Sequence, residues 1–245
     1  MNRNELKFAF TIDLDWASDA VLEYALDPII QRDIPITVFS THDSKWLIDK
    51  SVNKSNIEME IHPNFGLNSS HGSTYEEVYN YCNELITKKN GFRSHKYFDV
   101  NEINEYYKSI GYKYSSNICT DLHYVKPFIN RVGLLSIPLF MEDGGFLLQR
   151  HNLCIDTILN KLPSDGTIVF LFHPMHLAFN SNNFDTMKTL KNNITVHEYQ
   201  NIELETIELN RNKSFGINNL FWELIEWSEK NGIESVLLNS LINEK

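Results

Sequence analysis

Short apolar runs alternate with stretches of helical periodicity along the chain, and this alternation constrains the fold more than any other feature. Apolar residues recur at helical spacing between the runs, for example at 20–31 and 152–162. Strands that alternate with helices predict a largely parallel sheet or barrel covered by helices, an α/β fold. The strand-like runs are 6–12, 34–40, 57–61, 134–140 and 167–172.

The length of the chain favours one domain. Its 245 residues suffice for a single α/β barrel, so we predict one domain over 1–245. Segment 178–214 fits the alternation poorly, because it combines an Asn-rich patch, a helical piece near 185–191 and a strand-like run at 195–209. We therefore predict that 178–214 is an insertion or a cover over one end of the barrel.

Composition excludes several classes of protein. Hydrophobic residues make up 42% and charged residues 22% of the chain, which is typical of a globular domain. No apolar run reaches the roughly 18 residues that a membrane span needs. The formal net charge of −10 disfavours nucleic acid as a partner. The sequence does not indicate an oligomeric state.

The cysteines and the start of the chain indicate a compartment. Cys82, Cys119 and Cys154 are widely spaced and odd in number, which fits neither a disulfide framework nor a CxxC metal site. The first residues lack the charged-then-apolar order of a secretory signal. Together these features predict reduced thiols and a cytoplasmic location.

Polar side chains suited to catalysis or metal binding follow the predicted strands. A single Asp after a strand is more often a turn residue, so the prediction depends on the whole ordered set. Because the carboxyl ends of parallel strands meet at one end of a sheet, we expect these side chains to converge there. The set comprises Asp13, Asp15, His62, Arg93, His95, His173 and His176.

The segment 11–15, Thr-Ile-Asp-Leu-Asp, resembles the first motif of the polysaccharide deacetylase, or NodB-homology, family. In that family the first carboxylate is the general base and the second binds a metal. The resemblance therefore implies that Asp13 is the base and that Asp15 is a ligand. It also implies the family's distorted (β/α) barrel.

The second family motif, HxxxH, supplies two His ligands, but here only His62 matches. Gly66 stands where the second His is expected, and His71 is the nearest replacement. The arrangement HPNF…SSHG resembles the WbmS-like branch, which is associated with surface-polysaccharide biosynthesis. The implied ligands are thus Asp15, His62 and His71, and the next candidates after His71 are Asn64, His95 or water.

The segment 92–95, Phe-Arg-Ser-His, is similar to the third motif, whose Arg holds the catalytic carboxylate. Arg93 is then the partner of Asp13, and His95 replaces the usual Pro. The run 170–174, which ends in His-Pro, resembles the final motif and implies that His173 is the general acid. Residues assigned to substrate binding are Asn64, His95, Asp143 and His176. The pair Glu142-Asp143 stands at roughly the place where the family has an acidic residue near the site.

These residues suit the hydrolysis of an amide. Asp and His ligands without a thiolate fit one divalent ion, above all Zn²⁺, which acidifies its water towards a pKa of about 7 and polarises a carbonyl. The resemblance thus implies a metal-dependent hydrolase that removes an N-acyl group, most simply acetyl, from an amino sugar or saccharide. The alternatives are an amidase or deformylase acting on another small C–N substrate, and a barrel that binds carbohydrate without turnover.

Overall fold

The computed structural model describes residues 5–52, 54–86 and 90–243. The strands among them are β1 (Leu6–Asp13), β2 (Ile36–Ser40), β3 (Ile57–Ile61), β4 (Gly91–Phe92), β5 (Tyr114–Ser115), β6 (Phe128–Ile129), β7 (Leu135–Ser136), β8 (Met141–Glu142), β9 (Gly166–Phe172) and β10 (Glu234–Ser235). The α-helices are α1 (Asp19–Gln31), α2 (Lys45–Val52), α3 (Tyr75–Leu85), α4 (Asn101–Ser109), α5 (Asp143–Leu148), α6 (Ile155–Leu159), α7 (Pro174–Phe179), α8 (Phe184–Asn193), α9 (Val196–Gln200), α10 (Leu204–Asn210) and α11 (Ile217–Lys230). Two 3₁₀ helices span His95–Tyr97 and Leu238–Asn243.

The strands form one curled sheet in the order β6-β7-β5-β4-β3-β2-β1-β9-β8, and β10 also pairs with β1. Every pairing is parallel except that between β6 and β7. The predicted alternation of strands and helices around a parallel sheet is therefore observed. Parallel pairing also brings the carboxyl ends of the strands to one end of the sheet.

Strand β1 lies at the centre and shows how the sequence positions the site. Both of its faces are covered, so it reads as a continuous apolar run instead of an alternating one. Phe8, Phe10 and other alternate residues pack into the larger core cluster with the helices. The other face points into the curl of the sheet, where Ala9 packs in a second cluster with β2 and β9 residues. Asp13 lies on this inner face at the end of the strand.

The predicted strand-like run at 195–209 is wrong, because helices α9 and α10 occupy it. Thr195 begins α9 with a capping box in which its hydroxyl accepts from Glu198 N and the Glu198 carboxylate accepts from Thr195 N. Ile202 and Ile207 are buried in the main core, which anchors the segment. The helical piece predicted near 185–191 is confirmed as part of α8.

The run at 134–140 is also less regular than predicted. Only Leu135–Ser136 forms a ladder strand, and Leu139 makes an isolated parallel bridge with Cys119.

No helix among the described residues combines the length and apolarity that crossing a membrane requires.

Candidate active site

The ion pair between Arg93 and Asp13 forms the floor of the site. Arg93 is fully buried, and its Nη1 donates to Asp13 Oδ1 at 2.7 Å and to Thr11 Oγ1 at 3.0 Å. Its other donors bind the backbone carbonyl of Ser116 at 3.1 Å and the Ser116 hydroxyl at 3.0 Å. The guanidinium also lies 4.1 Å from the centre of the Phe39 ring. These contacts hold the Asp13 carboxylate in one orientation.

The backbone beyond β1 turns sharply to present Asp15. Asp15 and Trp16 have φ values of 45° and 58°, a left-handed conformation that costs about 1–3 kcal/mol per non-glycine residue. Trp16 N donates to Thr41 Oγ1 at 3.0 Å, and Leu14 N donates to Phe39 O at 3.1 Å. Both bonds tie the turn to the end of β2, so that Asp15 projects over the carboxyl end of the sheet.

Asp15, His62 and His95 place three possible ligand atoms together. Asp15 Oδ1 lies 3.3 Å from His62 Nε2 and 3.2 Å from His95 Nδ1. All three ligand atoms lie within 4.8 Å of one another. Asp15 Oδ1 is buried and has no hydrogen-bond partner, so neither short contact has the geometry of a hydrogen bond.

This spacing fits a divalent ion. A tetrahedral zinc ion with ligand distances of about 2.0–2.1 Å separates its ligand atoms by about 3.3 Å. An orphaned carboxylate oxygen facing two imidazole nitrogens is the donor set that zinc and similar ions prefer. Burial raises the pKa of Asp15, but His62, His95 and His173 lower it more, so that its pKa lies well below the usual value. The carboxyl group is therefore ionised, as a ligand must be.

Backbone pairing explains why His95 lies beside His62. Beyond the last ladder residues, Arg93 N donates to Ile61 O at 3.1 Å and His95 N donates to Pro63 O at 2.8 Å. The parallel register of β3 and β4 thus continues into both loops. Side chains alternate along an extended chain, so His95 faces the same side as Arg93 two residues earlier. That alternation is the signal in the sequence that points to His95.

His71, the ligand predicted from the family motif, lies outside this group of three ligand atoms. Its Nδ1 accepts from Asn64 N at 3.1 Å, and its ring stacks on Tyr81 with 4.4 Å between centroids. Burial lowers the pKa of His71 to about 4, so that the ring is neutral. The Asn64 side chain accepts from Gly66 N at 3.0 Å and supports the turn. His71 and Asn64 thus both organise the loop, and neither lines the pocket beside Asp15.

His173 follows β9 and lies near Oδ2 of Asp15, the carboxylate oxygen that His62 and His95 do not contact. Its Nδ1 and its backbone N donate to the two oxygens of Asp143 at 2.6 and 2.7 Å, and its Nε2 lies 3.7 Å from Asp15 Oδ2. Burial lowers the pKa of His173, but Asp143, Asp15 and Asp13 raise it to about 10. Burial likewise raises the pKa of Asp143, yet His173 and His176 lower it below the usual value. The pair is therefore a carboxylate and an imidazolium whose Nε2 proton faces the site.

His176 and Glu142 complete this side of the site. Burial lowers the pKa of His176 to about 4, and its Nδ1 is buried without a hydrogen-bond partner. Burial raises the pKa of Glu142, whose Oε2 lies 3.8 Å from Cys119 Sγ. The resemblance pointed to the pair Glu142-Asp143 and a site role was assigned to Asp143, but it is Glu142 that lines the cavity.

These side chains surround a cavity of about 710 Å³, which is in the range of small-molecule sites. Arg93 and Asp143 do not line the cavity, but they bind Asp13 and His173, which do. The predicted residues that line the cavity are Asp13, Asp15, His62, His95, His173 and His176. Lining residues that the sequence did not indicate include Lys96, Tyr97, Phe184, Met187, Lys191 and Tyr199.

Residues 10–191 match the model of the WbmS-like polysaccharide deacetylase family. The chain belongs to this family. No curated protein is significantly similar in sequence. The match covers well over half of the chain and includes every motif on which the resemblance was based.

Solved structures share the fold of this family member. A Bordetella bronchiseptica protein, described as a candidate polysaccharide deacetylase involved in O-antigen biosynthesis, superposes with a TM-score of 0.80 at 22% identity. That alignment covers 93% of this chain and 99% of the other. The peptidoglycan deacetylase PdaC from Bacillus subtilis gives a TM-score of 0.50 at 11% identity over 100% of this chain and 93% of its own. The predicted α/β fold, a distorted barrel of the polysaccharide deacetylase type, is confirmed.

Proposed function

We propose that this protein is a metal-dependent deacetylase that removes an N-acyl group, most simply acetyl, from an amino sugar. The observation that carries the proposal is the convergence of Asp15, His62 and His95 between two side chains fitted for proton transfer. Asp13 lies on one side, held by Arg93, and His173 lies on the other.

The three converging residues would hold one divalent ion, for which zinc fits the ligand set best. When bound, such an ion supplies a nucleophilic water at neutral pH and polarises the substrate carbonyl. His95 takes the place proposed from the family motif for His71. The two rings differ in that His95 Nδ1 faces Asp15, whereas His71 Nδ1 accepts a backbone N–H.

Asp13 is proposed as the general base. Arg93 occupies its Oδ1, while its Oδ2 faces His62 Nε2 at 3.6 Å, beside the proposed ligands. The free oxygen can therefore accept a proton from the attacking water. Arg93 holds the carboxylate in a fixed orientation for that proton transfer.

His173 is proposed as the general acid. The new C–O bond to the carbonyl carbon requires the C–N bond to break, and the departing nitrogen needs a proton to leave as an amine. His173 Nε2 can donate it, since Asp143 holds the ring through Nδ1 and favours the imidazolium. The products are a carboxylic acid and a free amino sugar, so atoms and charge balance.

The sugar belongs, in this proposal, to a surface polysaccharide. Membership of the WbmS-like family and the fold shared with a protein described as acting in O-antigen biosynthesis support that choice.

The three cysteines are free, with Cys82 buried, which supports a reducing compartment such as the cytoplasm.

Metal removal and reloading tests the proposal. Protein stripped with a chelator should release no acetate from N-acetylated amino sugars, and one equivalent of Zn²⁺ per chain should restore release. Circular dichroism of the stripped protein controls for unfolding. Equal acetate release by stripped and reloaded protein would refute the metal requirement, and no release by reloaded protein on any acylated sugar would refute the deacetylase.

A further inference from the structure

Two lysines line the active-site cavity, and neither has a role in the proposed chemistry. Lys96 follows the proposed ligand His95, and Lys191 belongs to α8. Both side chains are exposed. Within the described part of the chain, no carboxylate lies at ion-pair distance from either ammonium group.

Lys191 is positioned by an aromatic ring. Its Nζ lies 5.1 Å from the centre of the Tyr199 ring, which lines the same cavity from α9. A cation over the face of an aromatic ring is attracted to it electrostatically, and this attraction biases the rotamers of a long side chain. The contact leaves all three N–H donors of the ammonium group available to a ligand.

Lys96 is positioned by its backbone. Its φ and ψ are 57° and 25°, and the next residue, Tyr97, also has a positive φ of 56°. Two consecutive non-glycine residues in the left-handed region are costly, and such strain concentrates where a side chain must be directed to a functional site. The turn places Lys96 on the cavity wall instead of continuing the extended path of Arg93 and His95.

The charges around the cavity favour an anion despite the acidic chain. The carboxylates of Asp13, Asp15, Glu142 and Asp143 carry at most four negative charges. A bound divalent ion, Arg93 and the two lysines would supply five positive charges. The site would thus be cationic, although the formal net charge of the whole protein is −10. A local cationic site on an acidic protein attracts an anionic ligand to that site alone.

We propose that the substrate is an acylated amino sugar that also carries an anionic group, a phosphate ester or a carboxylate, bound by Lys191 and Lys96. This inference rests on the proposed deacetylase function and specifies its substrate class. Phe184 and Met187 provide an apolar wall for the sugar next to Lys191. The insertion predicted at 178–214 would then be the segment that selects the substrate.

Steady-state kinetics with four probes tests the proposal. The probes are N-acetylglucosamine, its 1-phosphate, its uridine diphosphate conjugate and 2-acetamido-2-deoxyglucuronic acid. At least one anionic probe should exceed the neutral sugar in kcat/KM by about 10-fold or more, the ratio expected for one charge-assisted hydrogen bond. A gain with both phosphate probes identifies a phosphate ester, and a gain with the uronic acid alone identifies a carboxylate.

Lys191→Gln should raise KM for the preferred anionic probe by about 10-fold with little change in kcat, and Lys96→Gln should act in the same direction. Lys188→Gln is the matched control, since Lys188 is an exposed lysine of the same helix that does not line the cavity. Metal content of each variant verifies that the site is intact. Equal efficiency on neutral and anionic probes, or lysine variants that behave like the control, would overturn the inference.

A calorimetric binding measurement separates this inference from the deacetylase proposal. If metal-loaded protein turns over none of the probes, the proposed reaction fails. Tighter binding of the anionic probe to wild type than to Lys191→Gln would still support the anionic site. Equal binding to wild type, Lys191→Gln and Lys188→Gln would reject it.

Discussion

At the scale of single residues, the buried Arg93 organises the site around itself. A buried guanidinium is costly unless its donors are satisfied, and here Asp13, Thr11 and Ser116 accept from them. The same contacts leave one oxygen of Asp13 free. Asp13, one of the groups that stabilise the buried arginine, is therefore also the proposed base.

Metal affinity distinguishes the two histidines that can complete the ligand set. We expect His95→Ala to weaken Zn²⁺ binding about as much as His62→Ala, because both rings face Asp15 Oδ1. His71→Ala should retain affinity within a few-fold, since His71 instead supports the loop at Asn64. Competition with a chromophoric chelator measures all three variants. A large loss of Zn²⁺ affinity in His71→Ala, with no loss in His95→Ala, would restore His71 as the third ligand, as the family motif implied.

The sequence indicates most of this site because parallel strands end together. Asp13, Asp15, His62 and His173 follow strands that pair in register, so their position on the chain predicts their position in space. The choice between His71 and His95 depends instead on the path of the loop at 62–73. Distance along the chain does not determine that path. The family motif favoured His71 because it is nearer than His95 to His62 in the sequence.

At the scale of elements, strand β3 carries an unusual pair of buried acids. Glu58 and Glu60 lie two residues apart and thus on the same face. Glu58 accepts from Thr37 Oγ1 at 2.7 Å and from Asn239 N at 3.2 Å, which ties the C-terminal 3₁₀ helix to the sheet. Glu60 accepts from Gly91 N at 2.8 Å. Burial and the neighbouring Glu58 raise the pKa of Glu60 to about 10, so that Glu60 stays protonated at neutral pH.

This buried proton predicts a stability that falls as pH rises. The folded state keeps a proton that an unfolded Glu releases near its ordinary pKa of 4.5. The contribution of Glu60 to the free energy of unfolding is therefore complete below pH 4.5 and is lost progressively towards pH 10. The limiting slope of this loss is about 1.4 kcal/mol per pH unit. Glu60→Gln, which stays neutral and retains an acceptor, should lose less stability than wild type between pH 6 and pH 9.

Urea unfolding at the two pH values measures this difference. Glu226→Gln is the control, because Glu226 is an exposed acid on α11. The control should lose stability with rising pH as the wild type does. The same loss in Glu60→Gln as in wild type would mean that Glu60 is already ionised in the folded state.

Segment 178–214, predicted to be an insertion or a cover, shows where sequence patterns fail at this scale. Residues 195–209 contain enough β-branched and apolar residues to resemble a strand, but Thr195 and Glu198 start a helix locally. Burial of Ile202 and Ile207 then fixes the segment against the core. Because tertiary packing brings α8 and α9 to the cavity, no local signal indicated that Lys191 and Tyr199 line it.

At the scale of the whole molecule, the curled parallel sheet positions every proposed catalytic group around one cavity. The groups come from β1, β3, β4 and β9 or the residues directly after them, and a segment between β9 and α11 supplies one wall of the cavity. The proposed base, ligands and acid thus all belong to the sheet or to the residues that follow its strands. Lys191, Phe184 and Met187, to which we assign substrate binding, belong instead to α8.

The most direct test of this account is the rate of acetate release by zinc-loaded Asp13→Asn, compared with zinc-loaded wild type. The amide keeps the size of the carboxylate and an acceptor for Arg93 but cannot take a proton from water. We expect unchanged zinc content and a lower thermal stability, because the buried Arg93 loses its counter-charge. At a temperature where both proteins are folded, turnover should be reduced about 10²- to 10⁴-fold, the usual cost of losing a general base. Turnover within a few-fold of wild type in a fully metal-loaded Asp13→Asn would contradict the account.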